Sequence, residues 1–152
     1  MVDAYDGHAQ RKGSTSERPK IVSGNESYYV NSPTDSHSLS LPSGSAVTSP
    51  SICVSTQTPD LRLFVLNMGT ATSVLNVNMT YTDTRGRPHT VTVAKLTGGK
   101  NWSLSAPVQF LANISGILAT NGCTWVTFQF TPADGKGKWQ IDDFYIDPLK
   151  SQ

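Results

Sequence analysis

Two adjacent aspartates and one tryptophan are the residues of this chain best placed to do chemistry. Asp142 and Asp143 stand in the run Lys138-Trp139-Gln140-Ile141-Asp142-Asp143-Phe144-Tyr145-Ile146, whose apolar positions Ile141, Phe144 and Ile146 are spaced three, then two. Side chains of a strand alternate faces, so Ile141 and Phe144 share a buried face only if one extra residue is inserted between them. The spacing therefore predicts a β-bulge at the two aspartates. A bulge there either aims a carboxylate at a hard cation or turns it onto the strand's own exposed backbone. Calcium would need about six to eight oxygens, drawn from neighbouring carbonyls and from Asn25 or Glu26.

Trp125 belongs to a segment, 124–131, in which Val126, Phe128 and Phe130 fall on one face and Trp125, Thr127 and Gln129 on the other. Leu75–Thr82 alternates in the same way, with Leu75, Val77, Met79 and Tyr81 opposed to Asn76, Asn78, Thr80 and Thr82. If the two strands share a sheet, their polar faces form an amide- and hydroxyl-rich platform with one large aromatic. Sugars bind such surfaces by stacking C–H faces on the ring and hydrogen-bonding their hydroxyls to the amides. The alternative is an ordinary solvated face, with Trp125 covered by a loop or by the segment 113–120. Tyr28, next to Tyr29, is a further candidate for a sugar contact.

Enzymatic machinery finds little support. His8, His37 and His89 have no spacing that implies shared geometry, and the chain has no Gly-x-Ser-x-Gly elbow, His-Glu-x-x-His, phosphate-binding loop or Cys-x-x-Cys. Glu17 and Glu26 are the only glutamates, so a pair of catalytic carboxylates would have to come from aspartates. Adjacent Asp142 and Asp143 do not by themselves give the separation across a sugar that such chemistry needs.

Composition bounds the partners. Twelve Lys plus Arg against eleven Asp plus Glu leave a net +1, with no basic run, so neither nucleic acid nor an anionic membrane is expected as a partner. No run approaches the ~18 apolar residues of a membrane span. Charged residues are only 15% of the chain and hydroxyl and amide side chains abound, a texture common among extracellular β proteins. Residues 1–20 hold no apolar signal-peptide core, so a secreted form would carry its signal outside this chain. Cys53 and Cys123 are the only cysteines, and they are either one disulfide or two buried thiols. Asparagine-linked glycosylation sequons fall at Asn25, Asn78, Asn101 and Asn113.

The elements that must position these residues are strands. Residues 1–20 show no sustained periodicity and read as a flexible leader, followed by one domain over 21–150. From Ile21 onwards short strand-like runs recur at roughly ten-residue spacing, the pattern of a β-sandwich. Strands are expected at 21–23, 38–41 and 46–55, the last carrying Cys53. Leu61 to Leu66 is apolar on both faces except at Arg62 and reads as a central, buried strand. A hairpin turn is expected at Asp83-Thr84-Arg85-Gly86-Arg87, returning through 89–96. The segment 102–110 is expected to form one strand with Trp102, Leu104, Ala106, Val108 and Phe110 inward. Trp139 is expected to pack on a sheet edge.

The runs Val22-Ser23-Gly24-Asn25-Glu26-Ser27-Tyr28-Tyr29-Val30, Ser38-Leu39-Ser40-Leu41-Pro42-Ser43-Gly44, Thr48-Ser49-Pro50-Ser51-Ile52-Cys53 and the closing Trp139-Gln140-Ile141-Asp142-Asp143-Phe144-Tyr145-Ile146-Asp147-Pro148 resemble secreted actinobacterial proteins of unknown function. More distantly, the Ile-Asp-Asp ending resembles galactose-binding-like jelly rolls, including carbohydrate-binding modules. The resemblance implies an all-β jelly-roll β-sandwich, an extracellular setting and a polysaccharide or other glycan partner. In such jelly rolls a Glu of the first strand often joins an Asp of the last at a structural calcium. The resembling proteins also carry a Gly-Asp-Phe-Glu strand and a Trp-containing segment before the Val-Ser-Gly-Asn-Glu run, and residues 1–20 contain neither. An unpaired sheet edge would follow, inviting strand exchange or a homo-oligomer unless the leader or a neighbouring copy covers it. The leading expectation is a non-catalytic extracellular carbohydrate-binding module. A structural or self-assembling domain is the alternative, and an enzyme ranks third.

Overall fold

Short alternating runs separated by Gly, Pro and Asn leave the chain one economical way to bury its apolar faces, which is to stack two antiparallel sheets. The computed structural model describes residues 8–11, 18–25, 36–58, 60–114, 122–133 and 137–147. Its strands are β1 (His8–Arg11), β2 (Lys20–Ser23), β3 (His37–Leu41), β4 (Ser45–Thr48), β5 (Ile52–Val54), β6 (Asp60–Asn67), β7 (Leu75–Thr82), β8 (Pro88–Leu96), β9 (Ser103–Leu104), β10 (Val108–Gln109), β11 (Thr124–Pro132) and β12 (Trp139–Asp147). A 3-10 turn covers Leu111–Ile114. The first sheet runs β1-β4-β11-β7-β8, with β5 also on β11; the second runs β10-β6-β12-β3-β2, with β9 also on β6. The architecture is a jelly-roll β-sandwich, as expected.

The core lies between the sheets. Leu75, Val77 and Met79 of β7 and Val126, Phe128 and Phe130 of β11 meet Leu61, Leu63 and Val65 of β6 and Ile141 and Phe144 of β12. Edge-to-face rings link the layers: Phe128 with Phe110 at 5.1 Å, Phe128 with Phe144 at 6.1 Å and Phe130 with Phe144 at 5.3 Å between centroids. Each such pair contributes about 0.5–1.5 kcal/mol beyond its area.

The bulge is where the spacing puts it. On β12, Asp142 pairs with Phe64 and Tyr145 with Arg62, so Asp143 and Phe144 together oppose Leu63. Asp143 takes φ 46°, the one positive φ outside glycine among the described residues. The inserted residue lets Ile141 and Phe144 both face the core.

Three expectations are corrected. The segment 102–110 is not one strand: Pro107 interrupts it, and Ser105 rather than Leu104 or Ala106 turns inward, its N–H donating to Leu63 O and its Oγ accepting from Leu63 N. Leu104 and Ala106 are exposed, and Trp102 is half-buried. The segment 46–55 splits into β4 and β5, because Pro50 cannot donate to a ladder. Trp139 is fully buried in the core rather than on an edge, opposite Asn67 and Leu41 on flanking strands. Ahead of the expected domain, His8–Arg11 forms β1, antiparallel to β4 from His8↔Thr48 to Arg11↔Ser45. An open strand edge offers N–H and C=O groups to any backbone, so this pairing needs no side-chain pattern to announce it.

Candidate functional site

The alternation of β11 decides the site. Val126, Phe128 and Phe130 are buried, while Thr127 and Gln129 are half-buried on the outward face and Trp125 is 63% exposed. β11 and β7 are direct neighbours, with Thr127 opposite Thr80, Gln129 opposite Asn78 and Thr131 opposite Asn76. β8 extends the rows, with Thr90 opposite Thr80 and Thr92 opposite Asn78. Polar residues from sequence positions some 50 apart thus form one continuous surface.

Hydrogen bonds fix this surface. Asn78 Nδ2 donates to Gln129 Oε1 at 3.1 Å, and Asn78 Oδ1 accepts from Thr92 Oγ1 at 2.8 Å. In the adjacent row Thr80 and Thr90 hydroxyls share a hydrogen bond at 2.7 Å. Asn78 therefore orients the Gln129 amide, leaving Gln129 Nε2 as a donor without a partner in the described chain. From Trp125 to Gln129 the face runs four residues, about 13 Å at the rise of a strand. An aromatic plate at one end and fixed amide and hydroxyl groups along the rest suit a ligand with alternating C–H and hydroxyl surface.

Two further features bear on Trp125. Its neighbour across the ladder is Cys53 on β5, and Cys53 is bonded to Cys123, two residues before Trp125 on the same outward side. The disulfide closes a sequence separation of 70 residues and pins β5 to β11 directly beside the exposed ring. At the other end of the platform Asn76 is half-buried, with Oδ1 shielded and unpaired, because Thr131 beside it donates to Ser45 O at 2.7 Å instead.

The structure thus brings Trp125, Thr127, Gln129, Asn78 and Asn76 together on one face. Tyr28, the remaining candidate, and Glu26 lie outside the described residues. Thr90 and Thr92 join this face through the hairpin register around Gly86, which is the sequence signal that places them. That hairpin holds a second cluster. Asp83 Oδ1 accepts from the N–H groups of Arg85 at 2.8 Å and Arg87 at 3.0 Å, and Oδ2 meets Arg87 Nε at 3.2 Å and His89 Nε2 at 2.7 Å. The hydrogen bond from His89, then that from the Arg87 backbone, lowers the Asp83 carboxyl to about 2. The His89 ring stacks on Tyr81 at 5.3 Å.

Asp142 and Asp143 are both buried, and Asp142 Oδ1 accepts from the Asp143 N–H at 3.0 Å. Part of the Asp142 carboxylate is thereby committed to the bulge's own backbone. Among the described residues no group of three or more His, Cys, Asp or Glu converges as a metal site. A cavity of ≈ 160 Å³ lies at the other end of the sandwich, lined by Asn67, Ala71, Gly98, Gly99 and Lys100. Lys100 Nζ is engaged there by Gly69 O at 2.7 Å, and none of the described lining residues is aromatic.

No family model matches the chain, and no curated protein is significantly similar to it. Solved structures are similar in fold. The CBM22-1 xylan-binding domain from Paenibacillus barcinonensis Xyn10C shares 13% identity over 99% of this chain and 94% of its own, with a TM-score of 0.58. The CBM22-1–GH10 modules of Clostridium thermocellum endo-1,4-beta-D-xylanase 10B, complexed with xylohexaose, share 12% over 99% of this chain, with a TM-score of 0.62. This chain spans only 28% of that one. The family 11 carbohydrate-binding module of C. thermocellum Lic26A-Cel5E shares 11% over 100% of this chain and 95% of its own, at a TM-score of 0.53. At identities this low the likeness is one of backbone architecture: the chain folds as the β-sandwich found in carbohydrate-binding modules.

Proposed function

We propose that this chain is a non-catalytic, extracellular carbohydrate-binding module whose contact surface is the outward face of the first sheet. The exposed indole of Trp125, level with amides and hydroxyls already fixed by their neighbours, carries the reading. Trp125 stacks on the C–H face of one sugar ring, while the Thr127 hydroxyl and Gln129 Nε2 reach hydroxyls of the rings that follow. Asn78 and Thr92 act as positioning residues that hold the Gln129 amide. Because the Gln129 amide is held before a ligand arrives, little conformational entropy is lost in ordering it on binding. The β-sandwich shared with xylan-binding and other carbohydrate-binding modules supports this use of the fold, although fold alone does not confer it.

Affinity electrophoresis and pull-down against a panel of insoluble and soluble polysaccharides test the proposal. Retention of the wild type that disappears in Trp125→Ala, with unchanged thermal unfolding, is the expected result. Failure of every polysaccharide to retain the wild type would remove this function. A second reading, association between copies, rests on β2, an edge strand whose core-side Ile21 is 57% exposed; a solution mass above that of one chain would favour it.

A further inference from the structure

The carboxylates of this protein's strands are confined to one of its two sheets. The net charge is only +1, yet β4, β5, β7, β8 and β11 contain no Asp or Glu, whereas the second sheet holds Asp60, Asp142, Asp143 and Asp147. The hairpin joining β7 and β8 adds one carboxylate, Asp83, and both its oxygens are occupied by Arg85, Arg87 and His89. Among the described side chains of this sheet and its hairpin, two cations are left over. Arg85 is exposed at the hairpin tip, and no hydrogen bond or ion pair holds its guanidinium in the described chain; Lys95 is exposed on β8 opposite Asn76 and is equally unpaired.

Their placement follows from the register. Val126 pairs with Tyr81, so Trp125 is level with Thr82, whose partner on β8 is Pro88. The turn bearing Arg85 and Arg87 begins at the very next residue. The platform therefore has arginines beyond its aromatic end and Lys95 at its Asn76 end, with neutral amides and hydroxyls between. Arg87 is directed by Asp83 through Nε alone, which leaves its terminal nitrogens for another acceptor. A guanidinium presents a planar fork that matches a carboxylate in two parallel hydrogen bonds.

We infer that the preferred ligand is an acidic glycan, a polysaccharide bearing uronic acid carboxylates, with a neutral stretch over Trp125, Thr127 and Gln129 and carboxylates at Arg85 and Lys95. This inference rests on the proposed glycan-binding function and adds the class of glycan. Exposed charges contribute modestly and are screened within about 8 Å at physiological salt, so the arginine and lysine set preference while Trp125 sets retention.

The test is affinity electrophoresis in chelator-containing buffer on polygalacturonate and on the same polymer after carboxyl reduction. The wild type is expected to be held more tightly by the acidic form, with the difference shrinking as salt rises. In Arg85→Gln with Lys95→Gln the ratio of acidic to reduced retention should fall by roughly threefold per charge removed, the scale of an exposed ion pair. Neither side chain is hydrogen-bonded within the described chain, so the variant should fold as the wild type does. Equal retention on both polymers, or an unchanged ratio in the variant, overturns the inference and leaves the glycan-binding function standing. No retention on either polymer, nor on any of the neutral panel, overturns both. Dextran sulfate is the charge-only control: if it and polygalacturonate retain Trp125→Ala as well as the wild type, the protein is a simple anion binder and the inference fails.

Discussion

The two sheets of this protein each turn polar residues away from the core, and the two outward faces differ in how far those residues are covered. On the first sheet Trp125 stands open beside half-buried Thr127, Gln129 and Asn78. On the second, Ser38, Ser40 and Asp142 alternate with core residues just as regularly, yet all three are buried, and Phe64 opposite Asp142 is only 2% exposed. Ser38 Oγ spends its hydrogen bond on Gln140 Oε1 at 3.2 Å, and Asp142 spends one on the bulge. Alternation reveals which residues share a face. It does not reveal whether that face is wet, because a polar row can also be covered once its groups are satisfied internally.

The contrast can be broken by substitution, and the sharpest case comes first. Phe64→Ala, on the covered face, should destabilise by about 3–5 kcal/mol, the range for deleting a buried aromatic; chemical denaturation measures it, and a loss below 1 kcal/mol would mean that this face is open too. Cys53→Ser with Cys123→Ser removes the staple beside the open face and should cost about 4 kcal/mol by chain entropy, read as a lower unfolding midpoint that reduction of the wild type reproduces. Asp142→Ala leaves the Asp143 N–H buried without its acceptor, and a loss of about 1–3 kcal/mol is expected in the same assay. Trp125→Ala should shift stability by no more than about 0.5 kcal/mol while abolishing polysaccharide retention.

The smallest effect concerns the hairpin that carries Arg85. Asp83 is held at about 2 by His89 and the Arg87 backbone, below its ordinary 3.8. A carboxyl depressed on folding adds stability above its unfolded value and loses it as pH falls through the folded one. The wild type should therefore lose a small increment between roughly pH 4 and pH 2 that Asp83→Asn lacks, and carboxyl chemical shifts through an acid titration would locate the group directly.

Much of this architecture was legible in the sequence where side-chain period is unambiguous. The alternations of β7 and β11 assign Asn78, Thr127 and Gln129 to outward positions, and the three-then-two spacing of Ile141, Phe144 and Ile146 locates the bulge. Legibility failed where backbone rather than side chain decides. Pro50 and Pro107 end strands whose hydrophobic pattern continues past them, and His-Ala-Gln-Arg of β1 carries no alternation from which a strand could be read. The adjacency of β7 and β11 is a long-range choice that neither strand encodes locally, so the platform was conditional until the register was known. The cysteine count admitted a bond, but only the position of β5 against β11 brings Cys53 and Cys123 within reach, at 5.2 Å between Cα atoms.

The kink between β4 and β5 has a consequence for Trp125. Both strands lie along the same side of β11, and where the chain bends between them Ser49 bridges the gap: its N–H donates to Phe128 O at 2.7 Å and its Oγ accepts from Phe128 N at 3.0 Å. The middle of β11 is thus tied on one side by a serine and on the other by β7. A strand slips only by breaking its ladder, and a slip of a single residue exchanges its two faces. Ser49 works as a latch against that slide: while it holds, the aromatic ring cannot trade places with Val126 and disappear into the sandwich.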